Sequence, residues 1–232
     1  MKTIIITGCS WGAGEWGGKH LSLQHAGLAQ YFTDAGYNVV NLSYMGSGNF
    51  KLIKPLNVFL EVNITLDIEY IFVLQTDIGR DLDSTWWANI LSDSDYDTTT
   101  NKDISLNNTI KKMYKQFYDN LNICLRNRNK KAYLIGGLTD LILDGHENFD
   151  CLEFLIPSWA QLCNPNNFPC HILNLNGLTA FDKKQLLPYI ELAHKRLDYF
   201  KYSQDLFWPD GSHPNRLGHK VLYDTIKSKL NL

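Results

Sequence analysis

Ser10 is the first residue whose type and place in the chain suggest chemistry. It lies in the glycine-rich stretch TGCSWGAGEWG, which directly follows a short apolar run. A serine at the tip of a turn between a strand and a helix is exposed, and its own backbone N–H can face the oxyanion that forms when the hydroxyl attacks a carbonyl. The pattern therefore predicts a nucleophile at Ser10.

A serine nucleophile needs a base, and the segment DGSHPNRLGH near the C-terminus offers one. Asp210 and His213 are three residues apart there, so the carboxylate can bind one imidazole nitrogen while the other points towards the serine. His219 lies six residues further along the chain and is the alternative base. The spacing predicts a triad of Ser10, His213 and Asp210.

The glycine-rich stretch also admits two other interpretations. Its glycines can serve only as a turn between a strand and a helix. The stretch also contains GxGxxG and resembles the TGxxxGxG cofactor turn of short-chain dehydrogenases, which indicates an NAD(P)-binding oxidoreductase as the alternative function. Against it, Asn41 or Ser43 stands where the ribose hydroxyls need Asp or Glu, and the only Tyr-x-x-x-Lys begins at Tyr223, too late for the nicotinamide.

Short β-branched or aliphatic runs alternate along the chain with longer segments of helical period, which predicts a parallel sheet covered by helices. The runs are nearly continuous in apolar character, as in strands that are buried on both faces. The pattern favours a three-layer α/β/α sandwich with a five-stranded parallel sheet. The five predicted strands are residues 3–7, 38–42, 70–74, 132–135 and 171–175.

Helices are predicted where apolar residues recur at steps of three and four. This spacing occurs over residues 107–125 and again in a last helix from about Pro214 onward, since the first turn of a helix tolerates proline. Between about residues 80 and 105 the pattern gives way to Asp, Ser, Thr and Asn around Trp86 and Trp87, which indicates an irregular insertion at the mouth of the sheet. Because no change of composition divides the chain, residues 1–232 are expected to form a single domain.

Composition limits the classes of partner. The 232 residues are 44% apolar and 20% charged with a net charge of −2, which is typical of a globular chain and offers no basic surface for nucleic acid. Five cysteines without a CxxC pair indicate reduced thiols, and no apolar run is long enough for a signal peptide or a membrane span. We therefore expect a cytoplasmic protein that binds neither membrane nor nucleic acid. The sequence does not indicate its oligomeric state.

Taken together, the motifs resemble those of the SGNH hydrolases, also called GDSL hydrolases. GCSW around Ser10 is similar to the first block of that family and DGSHP around His213 to the last, while NLSYMGSGN after the second strand is similar to the second block. The resemblance implies a flavodoxin-like fold, with Ser10 as nucleophile and Asp210 and His213 completing the triad. It also implies that the backbone N–H of Gly46, or of Gly48 as the alternative, lines the oxyanion hole.

Two positions depart from the family pattern. Cys9 stands where the first block usually has Asp, at a position outside the triad. The third block is usually Gly-x-Asn-Asp, with the Asn side chain donating to the oxyanion, whereas this chain reads LQTD and Asp77 occupies the Asn position. Because an ionised carboxylate repels an oxyanion, either Gln75 or Thr76 is expected to supply the donor, or that contribution is lost.

The resemblance implies hydrolysis of carboxylic esters, with an acyl or acetyl group on a carbohydrate or another small molecule as the substrate. Such a mechanism needs no metal or organic cofactor, and the remaining histidines show no spacing typical of metal ligands. Because the third block is altered, a catalytically silent binding protein of the same fold is a further alternative.

Overall fold

The computed structural model describes residues 1–17, 22–76, 81, 101–137, 141, 149–163 and 213–232. These residues contain a five-stranded sheet, a separate pair of short strands, and helices. The strands of the sheet are β1 (Thr3–Thr7), β4 (Asn38–Asn41), β5 (Ile68–Gln75), β6 (Ala132–Gly136) and β7 (Leu152–Ile156), and the separate pair is β2 (Glu15–Gly17) and β3 (Ser22–His25). The helices are α1 (Ser10–Ala13), α2 (Leu28–Asp34), α3 (Asn49–Val62), α4 (Asn101–Arg126), α5 (Trp159–Cys163) and α6 (Arg216–Leu230).

The order of strands across the sheet is β4-β1-β5-β6-β7, and every neighbouring pair is parallel. Counted along the chain, this is the 2-1-3-4-5 order of flavodoxin-like folds. The chain runs outward from β1 to β4 and then returns across β1 to β5, so the topological switch point lies between β1 and β5. Ligands of such sheets bind at this point, at the carboxyl ends of the strands. The predicted flavodoxin-like fold class is confirmed.

Successive side chains of each strand face opposite layers of helices. Ile4 and Ile6 of β1 pack with one cluster of apolar side chains, and Ile5 packs with the other. Both faces of the sheet are therefore covered, as a three-layer sandwich requires. The helices supply Leu28, Phe32, Trp159, Leu222 and Ile226 to the first cluster, and Leu56, Leu60, Tyr114, Phe117 and Leu121 to the second.

The strands differ from the prediction at one edge of the sheet. Four predicted strands are present, whereas the predicted fifth strand, residues 171–175, lies outside the described residues. The fifth strand of the described sheet is β7, which the sequence analysis missed because exposed Glu153 interrupts its short apolar run. A charged side chain is tolerated there because Glu153 is exposed. The pair β2 and β3 was also not predicted.

Both predicted helices are present, with different starting points. The segment predicted over residues 107–125 belongs to α4, which begins at Asn101, so residues 101–105 are helical and not part of an irregular insertion. Helix α6 begins at Arg216, because the Asn215 side chain accepts a hydrogen bond from the Gly218 N–H at 3.0 Å and caps the first turn. Pro214 therefore precedes the cap, and its predicted place in the first turn is wrong. Trp86 and Trp87 lie outside the described residues.

None of the helices in the described ranges is both long enough and apolar enough to cross a lipid bilayer.

Candidate active site

Ser10 begins α1, directly beyond the carboxyl end of β1. Helix α1 is a single turn, closed by a hydrogen bond of 3.1 Å from the Ala13 N–H to the Cys9 carbonyl. An exposed serine was predicted from the sequence, but Ser10 is only 2% exposed. The turn therefore presents a hydroxyl that is largely shielded from water, because another segment of the chain covers it.

His213 belongs to the segment that meets Ser10. Its Nε2 atom lies 3.1 Å from the Ser10 Oγ atom, although the two residues are 203 positions apart in the sequence. This is within hydrogen-bond reach, so a neutral imidazole with its proton on Nδ1 can accept the serine proton at Nε2. The triad hypothesis places the Asp210 carboxylate at Nδ1, and Asp210 lies outside the described residues.

His219, the alternative base, is a core residue. It is fully buried, its Nδ1 atom accepts a hydrogen bond from the Leu28 N–H at 3.2 Å, and its ring packs edge-on against Trp159 at 4.8 Å between centroids. Gly27 permits this packing, since a Cβ atom there would lie 2.5 Å from the His219 Nδ1 atom. Burial lowers the pKa of His219 to about 3, so the ring is neutral at pH 7. Its Nδ1 atom, the acceptor nitrogen of the ring, is occupied by the hydrogen bond from Leu28, the first residue of α2.

The structure does not support the dinucleotide interpretation of the glycine-rich stretch. That fingerprint needs a strand, a tight turn and then a helix whose N-terminus binds the pyrophosphate. Here α1 ends at Ala13, Gly14 has a φ of +138°, and the chain continues as strand β2. Packing within the chain explains the glycines, since a Cβ atom at Gly12 would lie 2.5 Å from the Ser43 Oγ atom.

The loop after β4, residues 42–48, is attached to the turn that carries the serine. The Tyr44 N–H donates to the Gly8 carbonyl at 2.9 Å, and the Ser47 N–H donates to the Tyr44 carbonyl at 3.1 Å. Gly46 lies in the turn that is closed by the hydrogen bond between Ser47 and Tyr44. Its φ is +73°, a conformation that glycine adopts without strain. The loop is thus attached to the Ser10 segment at Tyr44, and the roles of Gly46 and Gly48 as oxyanion donors stay predictions.

The side chain of Gln75, at the end of β5, points away from the serine. It is 1% exposed, and its Oε1 atom accepts a hydrogen bond from the Tyr118 hydroxyl on α4. Alternation along β5 explains this orientation, because Ile71 and Val73 share its face and pack in the α3 and α4 layer. Trp11, next to Ser10, packs in the opposite layer.

Asn49 binds the main chain of Thr76, the next residue after β5. The Asn49 Nδ2 atom donates to the Thr76 carbonyl at 3.0 Å, and the Thr76 N–H donates to the Asn49 Oδ1 atom at 2.9 Å. Both main-chain polar groups of Thr76 are therefore occupied. Of the two described residues among the predicted donors in this segment, only Thr76 keeps a side-chain hydroxyl for that role, while Asp77 lies outside the described residues and stays untested.

Asn49 and Asp81 were not predicted as site residues from the sequence. Fully buried Asn49 also donates from Nδ2 to the Asp81 Oδ2 atom at 2.9 Å, while the N–H groups of Asn49 and Phe50 donate to the same carboxylate at 2.8 and 3.1 Å. Asp81 thus caps the N-terminus of α3, where the helix dipole favours an anion. Burial raises its pKa, while these hydrogen bonds act in the opposite direction. The sequence feature that could have identified Asn49 is an amide residue at the first position of a helix that follows a strand.

No cluster of three His, Cys, Asp or Glu side chains suited to a metal ion occurs in the part of the chain that the structure describes.

No protein-family model matches the chain, and no curated protein matches it. Among solved structures, it is similar to the psychrotrophic esterase EstA from Pseudoalteromonas sp., in a structure inhibited by monoethylphosphonate, with 18% identity, 99% of each chain covered and a TM-score of 0.44. A lipase/acylhydrolase from Enterococcus faecalis has 13% identity over 99% of this chain and 95% of its own, with a TM-score of 0.42. TesA has 16% identity over 98% of this chain and 97% of its own, with a TM-score of 0.47. At these values the likeness carries no argument about function, which rests on the geometry of the site.

Proposed function

We propose that this protein is a serine hydrolase of the SGNH type that cleaves carboxylic esters. The observation that carries the proposal is the distance of 3.1 Å between the Ser10 Oγ and His213 Nε2 atoms. The two residues meet at the carboxyl edge of a parallel sheet, beside the switch point where such folds bind ligands. A hydroxyl held against an imidazole at this edge is the pairing of nucleophile and base that acyl transfer needs.

In this mechanism His213 accepts the proton of Ser10 as the Oγ atom attacks the ester carbonyl. The oxyanion then receives hydrogen bonds from the backbone N–H groups of Ser10 and Gly46. His213 returns its proton to the departing alcohol. A water molecule then gives a proton to His213 and attacks the acyl group on Ser10, and His213 passes that proton to the Ser10 Oγ atom as the acid leaves. Asp210 holds the imidazole in the required tautomer and stabilises its charged form.

For the third oxyanion donor we propose the Thr76 hydroxyl. Gln75 is directed into the α4 layer, and Asn49 occupies the main chain of Thr76. Phe72 and Leu74 lie on the face of β5 that packs in the same layer as Trp11, and continued alternation would place the side chain of Thr76, one residue beyond β5, on that face. Thr76→Val should lower kcat by about 10²-fold, the usual loss of one preorganised donor, whereas Thr76→Ser should retain most of the activity. Equal activity of Thr76→Val and the wild type would assign the oxyanion hole to backbone groups alone.

The substrate class we propose is an acyl or acetyl ester of a carbohydrate or another small molecule. Tyr44 and Met45 are 74% and 55% exposed, and they lie on the loop that is bound to Gly8. Apolar and aromatic side chains of this kind form the walls of small-molecule sites. They offer contact area to a substrate that reaches Ser10.

Hydrolysis of p-nitrophenyl acetate and of an acetylated monosaccharide tests the proposal. We expect turnover by the wild type, and a loss of about 10³-fold or more in Ser10→Ala and in His213→Ala. Thr225→Ala is the matched control, because it removes a hydroxyl that donates to the Val221 carbonyl within α6. Full activity in Ser10→Ala would contradict the proposed nucleophile. Absence of turnover with every ester would favour a catalytically silent binding protein.

A further inference from the structure

An ion pair links the segment that carries Ser10 to the segment that carries His213. The Arg216 Nε atom donates to the Glu15 Oε2 atom at 3.3 Å. Glu15 is the first residue of β2 and lies five positions after Ser10, while Arg216 is the first residue of α6 and lies three positions after His213. The pair therefore joins the two chain segments close to the point where their functional side chains meet.

Each end of the pair has a fixed position in the fold. The Glu15 side chain is only 6% exposed, and directly before it Gly14, with a φ of +138°, turns the chain out of α1 and into β2. Arg216 is held through its main chain as well, since its carbonyl accepts a hydrogen bond from the Tyr31 hydroxyl at 3.0 Å. Asn215, the residue directly before Arg216, caps α6 and so fixes the start of that helix. The segment that carries His213 thus ends at a residue that is hydrogen-bonded through both its side chain and its main chain.

The two ends of this pair differ in burial: the Glu15 side chain is 6% exposed, whereas the Arg216 side chain is 60% exposed. The side chains of Arg126 and Asp150 are 57% and 59% exposed, and exposed pairs contribute little to stability. In contrast, loss of Arg216 would leave the buried Glu15 carboxylate without the guanidinium, and an uncompensated buried charge is strongly unfavourable. The chain would then shift to bring water to Glu15, and that shift would act on the residues next to it.

We propose that Glu15 and Arg216 are positioning residues that hold the His213 imidazole against the Ser10 hydroxyl. They act through the main chain on either side of the site and do not touch the substrate. The inference rests on the proposed function for its kinetic consequence, whereas its structural consequence, the placement of His213 on Ser10, is independent of any substrate. A misplacement of about 1 Å in a catalytic group can cost about 10²-fold in rate.

The kinetic test compares Arg216→Gln, Arg216→Lys and the double variant Glu15→Gln/Arg216→Gln with the wild type. For Arg216→Gln we expect kcat on p-nitrophenyl acetate to fall by about 10-fold to 100-fold with KM nearly unchanged, because substrate contacts remain. Arg216→Lys should restore part of kcat, since it keeps the charge without the planar fork. The double variant Glu15→Gln/Arg216→Gln should be no worse than Arg216→Gln, as expected for residues that act as one unit. Arg126→Gln is the matched control, because it breaks the ion pair to Asp150 at the opposite edge of the sheet.

A second measurement does not depend on activity. Diethyl pyrocarbonate modifies accessible neutral imidazoles, and mass spectrometry reports the rate of modification of the peptide that contains His213. We expect this rate to rise severalfold in Arg216→Gln and to stay unchanged in Arg126→Gln. An unchanged rate in Arg216→Gln would overturn the positioning role, whatever the esterase assay shows. A raised rate in a protein that hydrolyses no ester would uphold the positioning role and refute the proposed function.

Discussion

His213 and His219 stand six residues apart in one short segment, yet they occupy opposite chemical environments. The Nε2 atom of His213 meets the Ser10 hydroxyl at the carboxyl edge of the sheet. The ring of His219 is fully buried one turn into α6, where it accepts a hydrogen bond from α2 and packs on Trp159. One imidazole is placed to move a proton, and the other is held neutral as part of the core.

The difference shows what makes a histidine chemically useful in this fold. Burial of His219 lowers its pKa to about 3 and leaves its acceptor nitrogen on a backbone N–H, so it cannot cycle between protonation states at neutral pH. His213 precedes the helix cap, at the edge of the sheet where Ser10 stands. Replacing each residue should therefore affect a different property of the protein.

The largest effect is expected for His213→Ala. Removal of the base should lower kcat/KM for p-nitrophenyl acetate by about 10³-fold or more, because the members of a triad act as a unit. The midpoint of urea unfolding should change little, since His213 is not part of the core. If His213→Ala retains the activity of the wild type while His219→Ala loses it, the roles assigned to the two histidines are contradicted.

His219→Ala should affect stability instead. The substitution leaves a cavity beside Trp159 and removes the acceptor of the Leu28 N–H, which together should cost about 2 to 4 kcal/mol in the free energy of unfolding. Urea denaturation measures this loss. His219→Asn, which can keep an acceptor near the Leu28 N–H, should be less destabilised than His219→Leu. Under conditions where His219→Ala is folded, its kcat should stay within about threefold of the wild type. A loss of activity as large as that of His213→Ala would contradict the structural role.

The buried imidazole also predicts how stability depends on pH. The pKa of His219 is about 3 in the folded protein and near 6.5 in the unfolded chain, so the unfolded chain binds the extra proton first as the pH falls. The stabilisation is complete above pH 6.5 and is lost at about 1.4 kcal/mol per pH unit as the pH falls from 6.5 towards 3. The raised pKa of Asp81 acts in the opposite direction, so the informative quantity is the difference between wild type and His219→Asn. Parallel pH profiles of the two proteins in urea denaturation would refute this origin of the slope.

The smallest predicted effect concerns Asn215, which separates the two histidines. Asn215→Ala removes the cap on the Gly218 N–H and should cost about 1 kcal/mol in urea denaturation. The matched control is Asn231→Gly at the other end of α6, where φ is +54° and glycine fits without strain. The control should leave the unfolding free energy within a few tenths of a kcal/mol of the wild type. If both variants lose the same amount, fraying of α6 explains the result and the cap does not.

Local patterns in the sequence were sufficient for part of this account. The strand before Ser10 is a continuous β-branched run, and the turn after it is rich in glycine, so the place of Ser10 followed from chain-local signals. The meeting of Ser10 with His213 followed from the rule that parallel strands gather their loops at one edge. The same residue types did not separate His213 from His219, because burial depends on how α6 packs against α2.

Other features depend on long-range packing that no local pattern reports. Asn49 and Asp81 are 32 residues apart, and Asp81 stands in a polar run that gives no sign of a helix cap. The orientation of Gln75 depends on which face of β5 meets α4, which the sequence leaves undecided although the alternation with Ile71 and Val73 is visible. Strand β7 was missed because exposed Glu153 interrupts its short apolar run.

Covalent labelling tests the central claim, that His213 activates Ser10 as a nucleophile, most directly. The native protein is treated with a fluorophosphonate probe, and the modified peptide is identified by mass spectrometry. The wild type should carry one adduct on the peptide that contains Ser10, His219→Asn should be labelled at a similar rate, and Ser10→Ala and His213→Ala should remain unlabelled. An unlabelled wild type, an adduct on another residue, or labelling of His213→Ala at the rate of the wild type would contradict the account.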